Sequence, residues 1–255
     1  MNLKSVRTVA IEAALAAGKV MHDNWLKPKR VNCSEAHDIK LELDVRCQAL
    51  IEKILGRAFP EIPVLGEEGN TGDVNAEYRW VIDPIDGTVN YFFGIPHAAT
   101  SIALQHQGQS VVGVIYDPFA AELWTTIKGE PTRLNGKVVK VSERAKVSDA
   151  ILAIGFSKSQ DNLEKCLPHM ARLTRRAKKI RVMGSAAIEL AYVACGRLDA
   201  YVERTINLWD IAAGALLVEC AGGEFYTRPA PGGKFRMVAD NGRLRRKLQV
   251  ESLLK

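Results

Sequence analysis

The stretch of chain that decides the fold covers residues 80–91 and reads WVIDPIDGTVNY. Its three apolar residues at 80–82 predict a buried strand, and Asp83 follows them directly. Because proline restricts the backbone of the residue before it, Pro84 favours an extended conformation for Asp83. The pattern therefore predicts a carboxylate held at the end of a buried strand.

A second carboxylate, Asp86, comes three residues after Asp83, and Gly87 then permits a tight bend. Such a turn can aim both carboxylates and the carbonyl of Ile85 at one point. Converging buried carboxylates repel each other, so either one is protonated or a cation lies between them. Oxygen ligands without histidine or cysteine favour a hard cation, Mg²⁺ or Ca²⁺. The alternative interpretation is an Asp-Pro turn with a capping aspartate.

Three further acidic residues lie near predicted element ends. Glu67 and Glu68 belong to the loop 66–69, which follows a short apolar run, and Asp210 opens an apolar helix. Taken alone, the two glutamates are typical of a solvated turn, and Asp210 is typical of an ordinary N-cap. Only their combination with the aspartates at 83 and 86 favours a shared site.

The composition indicates a globular protein. The chain has 255 residues, of which 47% are hydrophobic and 25% charged. A chain of this length buries enough surface to fold without disulfide bonds or structural metal ions. Five cysteines, at positions 33, 47, 166, 195 and 220, show no C-x-x-C spacing. A disulfide framework or zinc site is not expected, and a cytoplasmic location is predicted. No stretch approaches the apolar length of a membrane span, so no membrane partner is expected.

The net charge is +6, and much of the excess lies in two runs, residues 175–181 and 243–247. The simplest interpretation is a solvated face plus a basic tail. A nucleic-acid patch or a partner surface is the alternative. Aromatic residues are not interleaved with the runs, which weakens a nucleic-acid interpretation based on stacking.

Hydrophobic periodicity predicts alternating helices and strands. The predicted helices cover residues 4–26, 44–58, 162–177, 185–195 and 210–221. The predicted strands cover residues 62–65, 79–82, 98–105, 111–116, 150–155 and 198–203, with a hairpin at 135–136 between segments 132–134 and 138–141. We predict stacked α and β layers in one unit, residues 1–255, with an N-terminal half at about 1–148 and a C-terminal half at about 149–255.

Together these segments resemble the inositol monophosphatase family. Residues 80–91 are similar to its first signature, and residues 209–214, which read WDIAAG and run on to Ala221, are similar to its second. Residues 66–68 match the loop that precedes the first signature. The resemblance covers roughly residues 5–225.

This resemblance implies a mixed α/β (α+β) fold with αβαβα layers, a homodimer, and Mg²⁺-dependent, Li⁺-sensitive hydrolysis of a small phosphate monoester. By position, the implied metal ligands are Glu67, Asp83, the Ile85 carbonyl, Asp86 and Asp210. The implied catalytic residues, which orient the attacking water, are Thr88, Glu67 and Asp44. The implied substrate-binding residues are Asp86, Gly87, Thr88, Gly184, Ser185, Ala186, Glu203 and Asp210. For Glu203 the alternative is a surface carboxylate at a strand end.

The chain departs from the family pattern ahead of the first signature. Cys33 stands where many relatives carry a basic residue, and Lys40-Leu41 stands where relatives often have Val-Thr. These changes put in question a third, weak metal site near Asp38 and the role of the loop 27–37 as a substrate lid.

For function, the sequence favours inositol monophosphate hydrolysis by in-line water attack with two metal ions. One Mg²⁺ is expected on Glu67, Asp83 and the Ile85 carbonyl, and a second on Asp83, Asp86 and Asp210. The alternatives are another small phosphate ester (fructose 1,6-bisphosphate, histidinol phosphate or adenosine 3′,5′-bisphosphate) and an RNA- or protein-binding regulatory factor on the same fold.

Overall fold

The computed structural model describes residues 1–34, 39–155 and 160–249. Within them, the α-helices are α1 (Leu3–Asp23), α2 (Glu42–Ala58), α3 (Thr88–Phe92), α4 (Gln160–Arg176), α5 (Ala186–Ala194), α6 (Leu208–Cys220) and α7 (Arg245–Leu248). The first ten strands are β1 (Val31–Ser34), β2 (Ile39–Leu41), β3 (Val64–Gly66), β4 (Gly69–Thr71), β5 (Tyr78–Asp86), β6 (Ala99–His106), β7 (Gln109–Asp117), β8 (Glu122–Ile127), β9 (Arg133–Leu134) and β10 (Lys137–Val138). The remaining strands are β11 (Ile151–Gly155), β12 (Lys179–Arg181), β13 (Ala200–Ile206), β14 (Glu224–Pro229) and β15 (Phe235–Asp240).

The larger sheet has the strand order β10-β9-β8-β7-β6-β5-β3-β4. Its neighbouring strands are antiparallel except for the β3–β5 pair, which is parallel. Side chains alternate across β5, so Trp80 and Ile82 face one layer and Val81 faces the other. Both faces of the central strand are therefore buried, which explains its nearly unbroken apolar sequence.

Helices α1 and α2 cover the face that carries Trp80 and Ile82. The buried residues of α1, among them Val6, Ala10 and Ala17, recur at helical spacing. Asn2 caps the helix, because its Oδ1 accepts a hydrogen bond from the Lys4 amide at 3.1 Å.

Helices α5 and α6 form the middle layer between the two sheets. Their apolar residues pack against Val81 of the larger sheet on one side and against Tyr201 and Met237 of the smaller sheet on the other. The approach is close, since a Cβ placed on Gly113 would lie 2.9 Å from the Ala213 carbonyl oxygen.

The smaller sheet has the order β12-β11-β13-β15-β14, in which β11 is parallel to β12 and β13. Its outer face packs against α4 and α7 through residues such as Leu173, Leu244 and Leu248. The layers therefore follow the order α, β, α, β, α, and the predicted mixed α/β layered fold is confirmed.

The structure also corrects parts of the sequence prediction. The segment predicted to continue to Val141 ends as a strand at Val138, and the helix predicted to reach residue 26 ends at Asp23. Sequence periodicity missed β1, β2, β4, β8, β12, β14 and β15. The division into one unit with two halves stays a prediction. No helix in the described part of the chain is long and apolar enough to cross a membrane.

Candidate active site

The end of β5 places two aspartates in the interior. Asp83 and Asp86 are 1% and 8% exposed, and the pairing of β5 with β6 is irregular between them. The Ile85 amide donates to Asp83 Oδ1 at 3.0 Å, and Thr100 Oγ1 donates to the Pro84 carbonyl at 2.9 Å. This local network fixes the turn that the Asp-Pro sequence predicted.

Gly87 connects β5 to α3 with a φ of 93°, in the left-handed region. A Cβ there would lie 2.8 Å from the His97 carbonyl oxygen and 3.2 Å from that of Gly184. Conformation and space thus both require glycine at this position, which lets the start of α3 approach the Gly184 loop.

The third aspartate comes from α6. Asn207 is the N-cap, and its amide donates to Asp210 Oδ2 at 2.9 Å, so Asp210 occupies the third helical position of a capping box. The alternative interpretation of Asp210 as the N-cap is therefore wrong. The capping bond holds the Asp210 carboxylate at the start of the helix, turned toward β5.

Asp83, Asp86 and Asp210 meet at one point: one carboxylate oxygen from each lies within 4.8 Å of the others. Burial raises the pKa of all three carboxyls, and repulsion from neighbouring carboxylates raises the pKa of Asp83 and Asp86 further. These three acids, two of them buried and Asp210 half-buried, offer oxygen donors only and fit a hard cation, which would offset their repulsion. The triad can therefore hold a metal ion.

The predicted ligands Glu67 and Ile85 lie beside this triad. Both line the same cavity of about 220 Å³, together with Thr88 and the three aspartates. Glu67 is not one of the three carboxylates that meet within 4.8 Å. Its loop is anchored by Gln48, whose Oε1 accepts from the Glu68 amide at 2.9 Å, a contact that sequence reasoning missed.

Thr88 and Asp44, which the resemblance paired in catalysis, are in contact. Thr88 Oγ1 lies 2.8 Å from the Ile85 carbonyl oxygen and 3.2 Å from Asp44 Oδ1. Burial and the nearby Glu68 raise the pKa of Asp44 to about 7. A threonine hydroxyl is thus held between a carbonyl oxygen and a buried carboxyl at the edge of the cavity.

A second cavity of about 350 Å³ adjoins the first, and Asp86, Gly184 and Asp210 line both. Glu203 lines this second cavity and is only 8% exposed, so the alternative interpretation as a surface carboxylate is wrong. Tyr201 donates its hydroxyl to Glu203 Oε2 at 2.8 Å.

Glu189 and Gly155 also line the second cavity, and the sequence pointed to neither of them nor to Tyr201. Burial raises the pKa of Glu189 to about 8, and Glu189 Oε1 accepts from the Met183 amide at 3.0 Å. The available signal was the spacing of Tyr201 and Glu203, which places both on one face of a strand.

The start of α5 binds Asp86. Ser185 Oγ donates to Asp86, and the amides of Ala186 and Ala187 donate to its Oδ1 and Oδ2 at 3.3 and 2.7 Å. Ser185 and Ala186, predicted to contact substrate hydroxyls, thus line the second cavity and also hold a carboxylate of the triad.

Asn90 fixes the Gly184 loop and was also missed. Its Nδ2 lies 2.8 Å from the Met183 carbonyl oxygen, 3.2 Å from that of Gly184 and 3.0 Å from that of His97. Asp38 lies outside the described residues, as does the 35–37 part of the predicted lid 27–37.

Comparison with known proteins places the chain in one family. The inositol monophosphatase family model matches residues 2–249. Nus factor SuhB of Xylella fastidiosa is 41% identical over 86% of this chain and 81% of its own length. The inositol-1-monophosphatase of Synechocystis is 36% identical over 97% of this chain and 88% of its own length. The crystal structure of the extragenic suppressor protein suhB from Bartonella henselae superimposes with a TM-score of 0.90 at 32% identity, over 98% of this chain and 99% of that one. The chain belongs to the inositol monophosphatase family.

Proposed function

We propose that the protein is a Mg²⁺-dependent phosphatase that hydrolyses inositol monophosphate to myo-inositol and phosphate. The observation that carries this proposal is the junction of two cavities at Asp86 and Asp210. One holds a cluster of buried carboxylates, and the other contains a buried glutamate suited to hydroxyl groups. A phosphate ester of a polyol needs both features side by side.

The donor set supports Mg²⁺ as the cation. The proposed ligands are oxygens only, from the triad of aspartates, Glu67 and the Ile85 carbonyl, which is the chemistry that Mg²⁺ prefers. We propose that Glu67, Asp83 and the Ile85 carbonyl hold one ion, and that Asp83, Asp86 and Asp210 hold a second. Divalent cations held there would supply positive charge to the phosphate ester and to the attacking water.

The chain's own residues position the reactants. Thr88 Oγ1, held near Asp44 and the Ile85 carbonyl, orients the attacking water together with Glu67. The amides of Gly87 and Thr88 at the start of α3 cradle the phosphate, since the positive φ of Gly87 turns that backbone toward the cavity. Phosphate monoesters hydrolyse very slowly in water, so such positioning and charge must supply a large part of the barrier reduction.

The second cavity selects the alcohol. Glu203 can accept hydrogen bonds from vicinal hydroxyls of a polyol ring, while the Tyr201 hydroxyl holds the Glu203 carboxylate in place by donating a hydrogen bond to Oε2. Gly184, Ser185 and Ala186 form the adjacent wall. A site that holds buried polar groups discriminates strongly against substrates that leave those groups unpaired.

A substrate panel tests the proposal. Phosphate release is measured from inositol 1-phosphate, fructose 1,6-bisphosphate, histidinol phosphate and adenosine 3′,5′-bisphosphate, with Mg²⁺ and with EDTA. Inositol 1-phosphate is expected to give the highest kcat/KM, with activity lost in EDTA and reduced by Li⁺. Preference for another ester would replace the substrate assignment, and no hydrolysis of any ester with Mg²⁺ would overturn the proposal.

We also propose that the protein forms a homodimer in the cytoplasm. The large exposed side chains Phe93 and Ile95, which are 68% and 50% exposed, support an interface near α3. Light scattering during size-exclusion chromatography tests the dimer, and a monomeric mass at micromolar concentration would reject it.

A further inference from the structure

The two basic runs of the sequence, which the phosphatase site does not use, meet in the folded protein. Arg176 on α4 donates from Nη2 to the Lys247 carbonyl at 2.6 Å, and Arg172 donates from Nη2 to the Gln249 carbonyl at 2.6 Å. More than sixty residues separate the runs along the chain. The fold therefore concentrates their charge on the outer layer formed by α4 and α7.

Seven cations of the two runs are exposed, and we call six of them the basic face, leaving out Arg181 at the carboxyl end of β12. The six are Arg175, Lys178, Lys179, Arg243, Arg246 and Lys247. Within the described part of the chain, none of the six forms an ion pair with a carboxylate. Exposed acids in the segments around the face are Glu143, Asp149, Glu164 and Glu224, so the six cations outnumber them. Such a field attracts anionic partners.

Part of the basic face is concave. A groove of about 580 Å³ lies between β14 and the C-terminal segment. Arg243, Arg246 and Lys247 line it, together with one exposed acid, Glu224. Tyr226 of β14 also lines the groove, with the Arg245 guanidinium carbon 3.1 Å from the centre of its ring. The sequence placed no aromatic residue among the basic runs, but the fold brings one beside them. An aromatic ring among arginines is the combination that binds nucleic-acid bases and phosphates together.

The basic face and the carboxylate cavities lie at opposite ends of β11. Gly155, at the carboxyl end of β11, lines the second cavity. At the amino end, the Lys178 amide donates to the Ala150 carbonyl at 3.0 Å, and Lys247 Nζ donates to the Ala145 carbonyl at 2.6 Å. A polymer bound to the basic face therefore leaves the phosphatase site open.

We propose that the basic face binds single-stranded nucleic acid through its phosphates, with the Tyr226–Arg245 pair contacting a base. Arginine forks match phosphate geometry, and the groove offers an aromatic ring, which an acidic peptide does not require. Among the described residues, no large exposed apolar side chain lines the groove, so nothing there would insert into a lipid bilayer.

The test compares two triple charge reversals that change the net charge equally. R175E/R243E/R246E alters the basic face, and K4E/K53E/R57E alters exposed cations of α1 and α2. None of these six side chains has a described hydrogen bond. Three reversals of two charges each take the formal net charge from +6 to 0 in both variants. Intact phosphatase activity with inositol 1-phosphate shows that each variant is folded.

Binding of fluorescein-labelled oligouridylate and oligothymidylate is measured by anisotropy without divalent cations, between about 50 and 200 mM salt. The wild type is expected to bind with log Kd linear in log salt. The basic-face variant should bind about tenfold or more weakly, with its salt slope reduced by about 2, since each single-strand phosphate contact contributes about 0.7. The α1/α2 variant should stay within about twofold of wild type.

Three outcomes overturn the proposal. One is wild-type binding absent at the lowest salt, and another is an equal loss in both variants, which would reflect net charge alone. The third is a competition result: polyglutamate of matched charge, or phosphatidylserine vesicles, displaces the labelled oligonucleotide no less effectively than unlabelled oligonucleotide does. That result would assign the face to an acidic protein or to a membrane. A preference for either oligonucleotide supports the proposal, since both carry the phosphates and bases that it invokes.

Discussion

Replacing Asp83 with asparagine is expected to stabilise the metal-free protein while removing its response to Mg²⁺. Asp83 is buried, and its carboxylate faces those of Asp86 and Asp210 within 4.8 Å. Two unit charges at that distance repel by about 3 kcal/mol at an effective dielectric constant near 20. Asparagine keeps the Oδ1 that accepts the Ile85 amide, so the local turn is preserved.

The net gain should be smaller than the full repulsion. Burial raises the pKa of these carboxyls, so the metal-free triad is already partly protonated near neutral pH. We expect D83N to raise the free energy of unfolding of the metal-free protein by about 1–3 kcal/mol at pH 8, or about 2–10 °C in Tm. In the wild type, Mg²⁺ at about a hundred times its Kd adds about 2.7 kcal/mol. The variant should show no such gain, and its kcat should fall by about 10³-fold or more.

The assay is thermal unfolding in EDTA and in Mg²⁺, together with phosphate release from inositol 1-phosphate. Asp117→Asn is the matched control, because Asp117 is also buried at a strand end and accepts the amides of Phe119 and Ala120 at 2.8 and 3.1 Å. That variant should keep the full Mg²⁺ shift. A D83N protein that unfolds below wild type in EDTA, or that retains the Mg²⁺ shift, would refute the assignment of Asp83 as a ligand.

Three further predictions concern pH and the second cavity. The Mg²⁺-induced rise in Tm should be larger at pH 8 than at pH 5.5, because carboxyls with a raised pKa, Asp44 at about 7 among them, bind protons in the native state at the lower pH. For the same reason the metal-free protein should lose stability as the pH rises from about 4 to 7. Equal Mg²⁺-induced shifts in Tm at the two pH values would contradict the proposed competition between protons and metal. Tyr201→Phe should raise KM for inositol 1-phosphate about fivefold to a hundredfold with a smaller change in kcat, since Glu203 loses its buried donor, whereas a changed kcat alone would argue against a role in binding. Gly155→Ala should likewise raise KM, because the added Cβ would lie 1.6 Å from Glu203 Oε2 and must displace that carboxylate; unaltered steady-state kinetics would contradict the position of Glu203.

The parts of the site that the sequence predicted are set by local chain geometry. The Asp-Pro turn after 80–82 needs only the φ restriction of proline and the freedom of Gly87 to aim its carboxylates. Helices α1 and α2 were predictable because their apolar residues recur at helical spacing, and α6 was predictable because a long apolar run ends at Gly222 and Gly223. In each case the neighbours in sequence supply the decisive constraint.

The parts that the sequence missed depend on distant packing. The role of Gly155 appears only when β13 pairs with β11, because its lack of a side chain leaves room for the Glu203 carboxylate. The smaller sheet's β14 and β15 contain charged residues within short segments, so their alternation is weak, although residues 237–240 are buried. The meeting of the two basic runs likewise follows from the position of α7 against α4.

Asp83 and Asp86 depend on the cation to different degrees, because the protein satisfies them unequally. Asp86 accepts hydrogen bonds from Ser185 Oγ and from the amides of Ala186 and Ala187, and all three favour its charged form. The start of α5 thus stabilises Asp86 as an anion and ties the smaller-sheet half of the molecule to β5.

Among the described residues, Asp83 has one such donor, the Ile85 amide, and it faces Glu67, Asp86 and Asp210, each of which raises its pKa. The charge on Asp83 therefore relies on a bound cation more than that of Asp86 does. For that reason Asp83→Asn should remove repulsion and stabilise the metal-free protein. Asp86→Asn removes an acceptor for the hydrogen bonds from the start of α5 and should destabilise the metal-free protein. Thermal unfolding of the two asparagine variants in EDTA should shift Tm in opposite directions, and shifts of the same sign would show that hydrogen bonding at α5 does not separate the two aspartates.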